Sequence, residues 1–361
     1  TWSGGTSTRT EEEISLKMES IAASIGPSGG RNSISLSADF LSSYSDEAMN
    51  LFMDLANDPV FPDEVMDRER QILLHQIKNK KDNPAQICVS KFMKAMFGSH
   101  PYSRDSLGEP DKLQKLTRAD LQNWWKKIFT GGRRVLVICG AESPEKWIKA
   151  WGSLKKNPTP AFAKPELSFL NSEVRVFEKA EKEQSHLIVG YPGLTMMDED
   201  RYALQVIQSV LAGQGGRLFL ELRDKNSLAY SVSPMRMEGL EAGYFGAYIG
   251  CAPDKVTKAA RMMREQFVRL VNEKIGAEEL ERAKRYIVGR HDIDLQKAGS
   301  VSGAIAFNSV YGIDHNEVFT SSDRYWSVTA EEARALAEKI FSKAPVISVV
   351  GPAPFKDKLE G

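Results

Sequence analysis

The sequence is short of the residues that several classes of function require. It has three cysteines, Cys88, Cys139 and Cys251. They are odd in number and far apart, which excludes a disulfide framework and a zinc ribbon, and they read as small buried hydrophobes. It has five histidines, His75, His100, His186, His291 and His315, none within three to five residues of another. No helix face or short loop therefore offers a histidine pair to a metal, and each reads as an ordinary surface or core histidine. There is no Gly-x-Ser-x-Gly elbow, no cysteine with a recognised catalytic neighbourhood, and no Gly-Lys-Ser/Thr after a glycine loop. Positive charge is not in excess, because 48 Lys+Arg meet 48 Asp+Glu. That balance argues against a nucleic-acid binder, whose affinity rests on cations meeting phosphates. No apolar run approaches the roughly 18–20 residues of a membrane span. The start, Thr1-Trp2-Ser3-Gly4-Gly5-Thr6, lacks an initiator Met and the basic and apolar parts of a signal peptide. A start of this kind is compatible with a piece, processed or excerpted, of something longer, and any motif normally lying upstream would be out of sight. A soluble protein of the cytoplasm or the periplasm is expected, without a choice between them.

What is present describes a globular chain: 361 residues, 42% hydrophobic and 27% charged, long enough for two domains. The chain repeats itself. Phe61-Pro-Asp-Glu-Val-Met-Asp-Arg-Glu-Arg resembles Ile275-Gly-Ala-Glu-Glu-Leu-Glu-Arg-Ala-Lys, and Leu116-Thr117 matches Val328-Thr329. Val135-Leu-Val-Ile-Cys-Gly140 then matches Val346-Ile-Ser-Val-Val-Gly351. The three matches come in order at nearly constant spacing, the signature of a duplicated unit. The expected division is a first domain over 1–155, a linker over 156–168 and a second domain over 169–361. Prolines 158, 160 and 165 make the join extended.

The periodicity predicts a strand over 32–39 and helices over 45–57, 63–80 and 84–97 in the first copy. On the second of these helices Val65, Ile72, Leu73 and Ile77 are expected to face inward. In the second copy it predicts strands over 185–191, 229–234 and 243–250. Helices are expected there over 199–212, 254–273, 277–297, 299–310 and 329–342. Thr10-x-x-Glu13 and Thr329-x-x-Glu332 are capping boxes, and Thr117 caps another helix. Strands followed by runs of helices predict an α+β class, each domain a mostly antiparallel sheet packed against helices.

Two segments carry candidate chemistry. Gly213, Gly215 and Gly216 lie between two helices. They make either a flexible connection or a loop that lets a peptide backbone approach closely. After them, Arg223-Asp-Lys-Asn-Ser-Leu-Ala-Tyr230 runs from a helix end through a polar turn into a strand. The Arg223 guanidinium and the Tyr230 phenol can both donate to one carbonyl oxygen and stabilise an oxyanion on it. Equally, Arg223 can pair with a carboxylate while Tyr230 caps the core.

The duplicated plan and these segments resemble the pitrilysin/insulinase family of zinc peptidases. The resemblance rests on Gly4-Gly5-Thr6 with Arg9-Thr10 and Glu13-Ile14, on Asn32-Ser-Ile-Ser-Leu-Ser, and on Pro59-Val-Phe-Pro-Asp-Glu through Asp67-Arg-Glu-Arg-Gln-Ile-Leu-Leu with His100-Pro-Tyr. It rests too on Gly216-Arg-Leu-Phe-x-x-x-Arg223 with Leu228-Ala-Tyr230-Ser. It implies that Arg223 and Tyr230 hold the substrate backbone and stabilise the tetrahedral intermediate. The family's His-x-x-Glu-His would lie just upstream of Gly4, and its third zinc ligand, a glutamate, matches Gln76 here, beside His75. A neutral amide is a poor zinc ligand. The resemblance therefore implies the zinc-less half of a bacterial-type metalloendopeptidase, with no metal or cofactor of its own and no catalysis alone. Its partner would be a zinc-bearing half, separate or fused upstream, and its ligand an unfolded peptide. The alternatives are an active zinc endopeptidase whose motif lies upstream, and a purely architectural subunit.

Overall fold

The computed structural model describes residues 1–141, 143–154, 156–159, 162–163, 165–167 and 170–353. Of the expected linker, Pro160, Ala161, Lys164 and Ser168 lie outside the described residues. In chain order the first half carries α1 (Glu11–Ser20), β1 (Ser24–Gly29), β2 (Ile34–Asp39), α2 (Ser45–Asn57) and α3 (Asp63–Lys81). It continues with α4 (Pro84–Phe97), α5 (Pro110–Lys115), α6 (Arg118–Trp125) and α7 (Pro144–Gly152). The second half carries β3 (Val174–Lys179), β4 (Ser185–Pro192), α8 (Arg201–Leu211), β5 (Ala229–Glu238) and β6 (Gly243–Cys251). Then follow α9 (Val256–Asn272), α10 (Ala277–Asp294), α11 (Ala298–Tyr311), α12 (Glu317–Ser327), α13 (Ala330–Phe341) and β7 (Val346–Gly351).

These elements form two compact units that are not consecutive in sequence. Unit 1 is Thr1–Ile77, Ser106–Ala163 and Asp294–Val318; unit 2 is Lys78–Asp105, Lys164–Ile293 and Phe319–Gly361. They differ from the linear division 1–155/169–361 by an exchange: α4 belongs to unit 2 and α11 to unit 1. A hydrophobic pattern says that a helix has an apolar face, not which sheet that face will cover.

Unit 1 is built on local signals. Thr10 and Thr117 close capping boxes with Glu13 and Asp120, satisfying donors at the starts of α1 and α6. Its core gathers Trp2, Ile14, Leu51, Leu55, Phe61, Trp125, Phe129 and Trp147. The Trp2 Nε1–H donates to the Leu55 carbonyl at 2.8 Å, giving the buried indole its partner. The sheet of this unit has two strands, β1 antiparallel to β2, with four residues between Gly29 and Ile34. Ile72 of α3, expected inward, is 44% exposed, whereas Val65 and Ile77 are buried.

Unit 2 has a five-stranded sheet in the order β3-β7-β4-β6-β5. Every neighbouring pair is antiparallel except β3 with β7, so the mostly antiparallel α+β class is found. Apolar clusters cover both faces. Leu187, Val189, Ile347 and Val349 point into one cluster with α8, α9 and α13. Ile188, Val346 and Val350 point into the other, with Cys88, Phe92, Met96 and Phe97 of α4.

Glycine lets α4 sit this close. A Cβ on Gly190 of β4 would stand 2.5 Å from the Phe92 ring. The Cys88 thiol donates to the Ser348 carbonyl at 3.3 Å, while the Ser348 hydroxyl donates to the Cys88 carbonyl at 3.0 Å.

Burial pushes both the Cys88 and the Cys251 thiols up to about 12, so neither forms a thiolate at neutral pH. Cys139 is exposed. A chromogenic disulfide reagent is accordingly expected to titrate one thiol in the native chain and three after denaturation. Two fast thiols in the native state would contradict the packing of α4 or of β6.

Candidate functional site

The candidate residues of unit 2 cluster around one turn. Phe219–Asp224 forms a single π-helical turn, and Leu222 and Leu228 on either side of the following loop are both buried. The loop between them is fully tied. The Ser227 amide donates to the Arg223 carbonyl at 2.9 Å and the Leu228 amide to the Leu222 carbonyl at 2.8 Å. The Asn226 amide side chain donates to the Glu221 carbonyl, and the Lys255 ammonium to the Ser227 carbonyl, each at 2.9 Å. Ser227 holds φ +49°, a left-handed conformation that a non-glycine residue keeps only when its surroundings enforce it.

Arg223 is exposed, with its guanidinium 4.8 Å from the Phe219 ring centroid. Among the described residues it pairs with no carboxylate. A face-on aromatic orients a cation without neutralising it, at a gain of about 0.5–1 kcal/mol for an exposed site. Tyr230 is 61% exposed and so does not cap the core. It is the unpaired residue of a β-bulge: Ala229 pairs with Cys251 and Ser231 with Gly250. Bulges re-aim a side chain and accentuate the local twist. β5 is also an edge strand, with no strand paired on its outer side among the described residues. The turn therefore presents two strong donors beside an edge strand.

The glycines divide. Gly216 is buried, and a Cβ on it would stand 2.1 Å from the Ala212 carbonyl oxygen, so close backbone packing requires glycine. Gly213, at φ +76°, ends α8 in a left-handed turn. Gly213 and Gly215 both face open space. Sequence reasoning passed over Arg217, which follows these glycines. Its side chain is almost wholly buried, with Nε and Nη2 on the two carboxylate oxygens of Glu279 at 2.9 and 2.7 Å. This bidentate pair fastens the glycine segment to α10. Only a three-dimensional contact across 62 residues reveals it.

Gln76 lies on α3 and is exposed, as is His75. Neighbours in a helix point about 100° apart, so the two do not converge. Among the described residues no group of three or more His, Cys, Asp and Glu side chains can hold a metal ion.

Residues 2–110 match the family described as Insulinase (Peptidase family M16), and residues 115–287 match its companion, Peptidase M16 inactive domain. The chain belongs to the insulinase (M16) peptidase family. An uncharacterized zinc protease of Streptomyces coelicolor is 26% identical over 98% of this chain and 79% of its own length. The uncharacterized zinc protease YmxG of Bacillus subtilis is 24% identical over 97% of this chain and 86% of its own. Among solved structures, a peptidase M16 inactive domain from Pseudomonas fluorescens superposes with a TM-score of 0.90 at 20% identity, covering 99% of this chain and 88% of that one. The periplasmic protease PqqL of Escherichia coli superposes at 0.80 and 14% identity, with 97% of this chain on 40% of that one.

This is an M16 protease-like chain with an inactive-type domain. Zinc, which the relatives' names imply, does not fit the described residues, among which no cluster of His, Cys, Asp and Glu side chains converges. Among the described residues no helix is long and apolar enough to cross a membrane.

Proposed function

We propose that this chain is the zinc-less half of an M16-type metalloendopeptidase. In complex with a zinc-bearing half it closes the chamber and binds unfolded peptide. It then donates from Arg223 and Tyr230 to the scissile carbonyl. The carrying observation is that both side chains flank one hydrogen-bonded turn, exposed and without a polar partner among the described residues. Donors held free in this way cost little reorganisation when a carbonyl develops negative charge. The edge position of β5 suits an extended peptide, because main-chain pairing is indifferent to side-chain identity. Gly213 and Gly215, with open space above them, fit a loop over which a peptide backbone can pass.

Metal analysis and a peptidase assay test the reading together. The purified protein is expected to hold well under one zinc per chain and to leave an unfolded peptide intact until a zinc-bearing M16 half is added. One tightly held zinc per chain, with chelator-sensitive cleavage by this protein alone, would instead support the active-enzyme reading.

A further inference from the structure

The face of the unit 2 sheet that α4 covers changes character toward β5. Val350, His186, Gly250 and Ser231 stand side by side across β7, β4, β6 and β5. Cover falls away along this row: Val350 is fully buried in the α4 cluster, His186 is half-buried and Ser231 is exposed. Two residues along, and so on the same face, the next row runs through Ser348, Ile188, Tyr248 and Ser233. There Tyr248 is half-buried and Ser233 exposed. At the inner end Cys88 of α4 rests on the His186 and Ser348 carbonyls. At the outer end polar side chains take over from apolar ones.

Gly250 leaves a gap in that polar end. A Cβ there would meet three side-chain oxygens first: Ser231 Oγ at 3.2 Å, the Tyr248 hydroxyl at 3.3 Å and Gln184 Oε1 at 3.7 Å. Two of these oxygens already belong to a chain. The Tyr248 hydroxyl lies 2.7 Å from His186 Nδ1 and is hydrogen-bonded to Ser231. Burial holds the His186 imidazole below its ordinary value and the Tyr248 phenol above its own, so both are uncharged at neutral pH. A neutral imidazole has one donor and one acceptor, and a hydroxyl that accepts on one side can donate on the other. If Nδ1 accepts, Tyr248 donates to it and accepts from Ser231, which leaves His186 Nε2–H as the donor end and Ser231 Oγ as the acceptor end. If Nδ1 donates, the two ends exchange roles. Either way the chain ends in one donor and one acceptor.

We propose that this gap is a subsite for a carboxamide side chain, Gln or Asn, of the peptide held at Tyr230. A primary amide brings a carbonyl for the donor end and N–H groups for the acceptor end, whichever way the chain runs. A carboxylate offers acceptors alone and an ammonium donors alone, so each leaves one end unanswered, and an aliphatic side chain leaves both. Ser231, Tyr248, His186 and Gln184 supply no charge to compensate an ionic side chain. The subsite adjoins the candidate donors, because Tyr230 is the bulge residue immediately before Ser231. The inference rests on the functional reading above for its ligand, a peptide, but not for the chemistry of the gap.

Two measurements test it, the first without catalysis. The chain, labelled with ¹⁵N in its histidine rings, is titrated to millimolar concentration with unfolded peptides that carry Gln, Glu or Leu at one position, scanned along the peptide. His186→Asn identifies the His186 signals by their loss. The best-placed Gln peptide is expected to shift them with a half-saturation about tenfold lower than its Glu and Leu counterparts, the scale of one or two neutral hydrogen bonds. In the second, with a zinc-bearing M16 half supplied, kcat/KM for that Gln peptide is expected to exceed the Leu value by about tenfold. Tyr248→Phe, which removes the middle of the chain, and Gly250→Ala, which fills the gap, should each bring that ratio toward one. Equal half-saturation for the three peptides, or no response of His186 to any of them, overturns the subsite. So does a ratio of one in the unaltered chain, or a ratio that survives both variants. A complex that cuts no peptide while His186 still answers to Gln leaves the subsite standing and overturns the functional reading instead.

Discussion

With a zinc-bearing half supplied, Arg223→Ala is expected to lower kcat/KM for an unfolded peptide by about 10²–10³, the scale for removing one oxyanion donor. The loss should fall mainly on kcat, because the donor is worth most when the carbonyl oxygen carries negative charge. Folding should hardly change. Arg223 is exposed and its visible interaction is with the Phe219 ring, worth about 0.5–1 kcal/mol. Arg223→Lys should recover little, since a point charge does not reproduce a planar fork. Steady-state kinetics alongside a thermal melt separates the possibilities. An unchanged rate would remove Arg223 from the chemistry and favour the architectural reading, and an equal fall in Tm would make its role structural.

The largest effect on stability is expected at the α4–sheet contact. Phe92 is fully buried, edge-on to Tyr244 with centroids 5.1 Å apart and pressed against the Gly190 backbone. Phe92→Ala should cost about 3–5 kcal/mol through lost transfer energy and the cavity left behind. Gly190→Ala should cost about 1–3 kcal/mol for the opposite reason, because its new methyl enters the space of the ring. The double variant should lose less than the two costs together, since each change relieves the other's defect. Urea midpoints of unit 2 measure this. Strict additivity would show that residues 92 and 190 do not touch in solution.

The sequence announced its elements wherever local chemistry sets their ends. The helix over 84–97 is legible from Pro84 at its start, and the structure adds the Asn83 cap and the terminating Gly98. The expected capping boxes at Thr10 and Thr329 form, and the expected cap Thr117 is also part of a box, closed by Asp120. β1, by contrast, reads Ser-Ile-Gly-Pro-Ser-Gly, and only its pairing with β2 makes it a strand. β3 and α12 also went unread, the first a short segment fixed by its parallel partner β7. The exposed side of Ile72 was misjudged because α3 covers less of unit 1 than its pattern suggests. Of the candidate site, the donors Arg223 and Tyr230 were legible as residue types. The bulge that turns Tyr230 outward and the Arg217–Glu279 clamp depend on register and long-range contact, which one-dimensional spacing does not encode.

The exchange of helices has a consequence for biosynthesis. Cys88 of α4 finds its partner Ser348 only 260 residues later. At roughly 5–20 residues per second, a ribosome takes on the order of 10–50 s to supply it. Until then a nascent chain can offer Phe92, Met93, Met96 and Phe97 only the β4, β5 and β6 part of the sheet, without the Val346 and Val350 surface of β7, a window that favours capture by a holding chaperone over spontaneous vectorial folding.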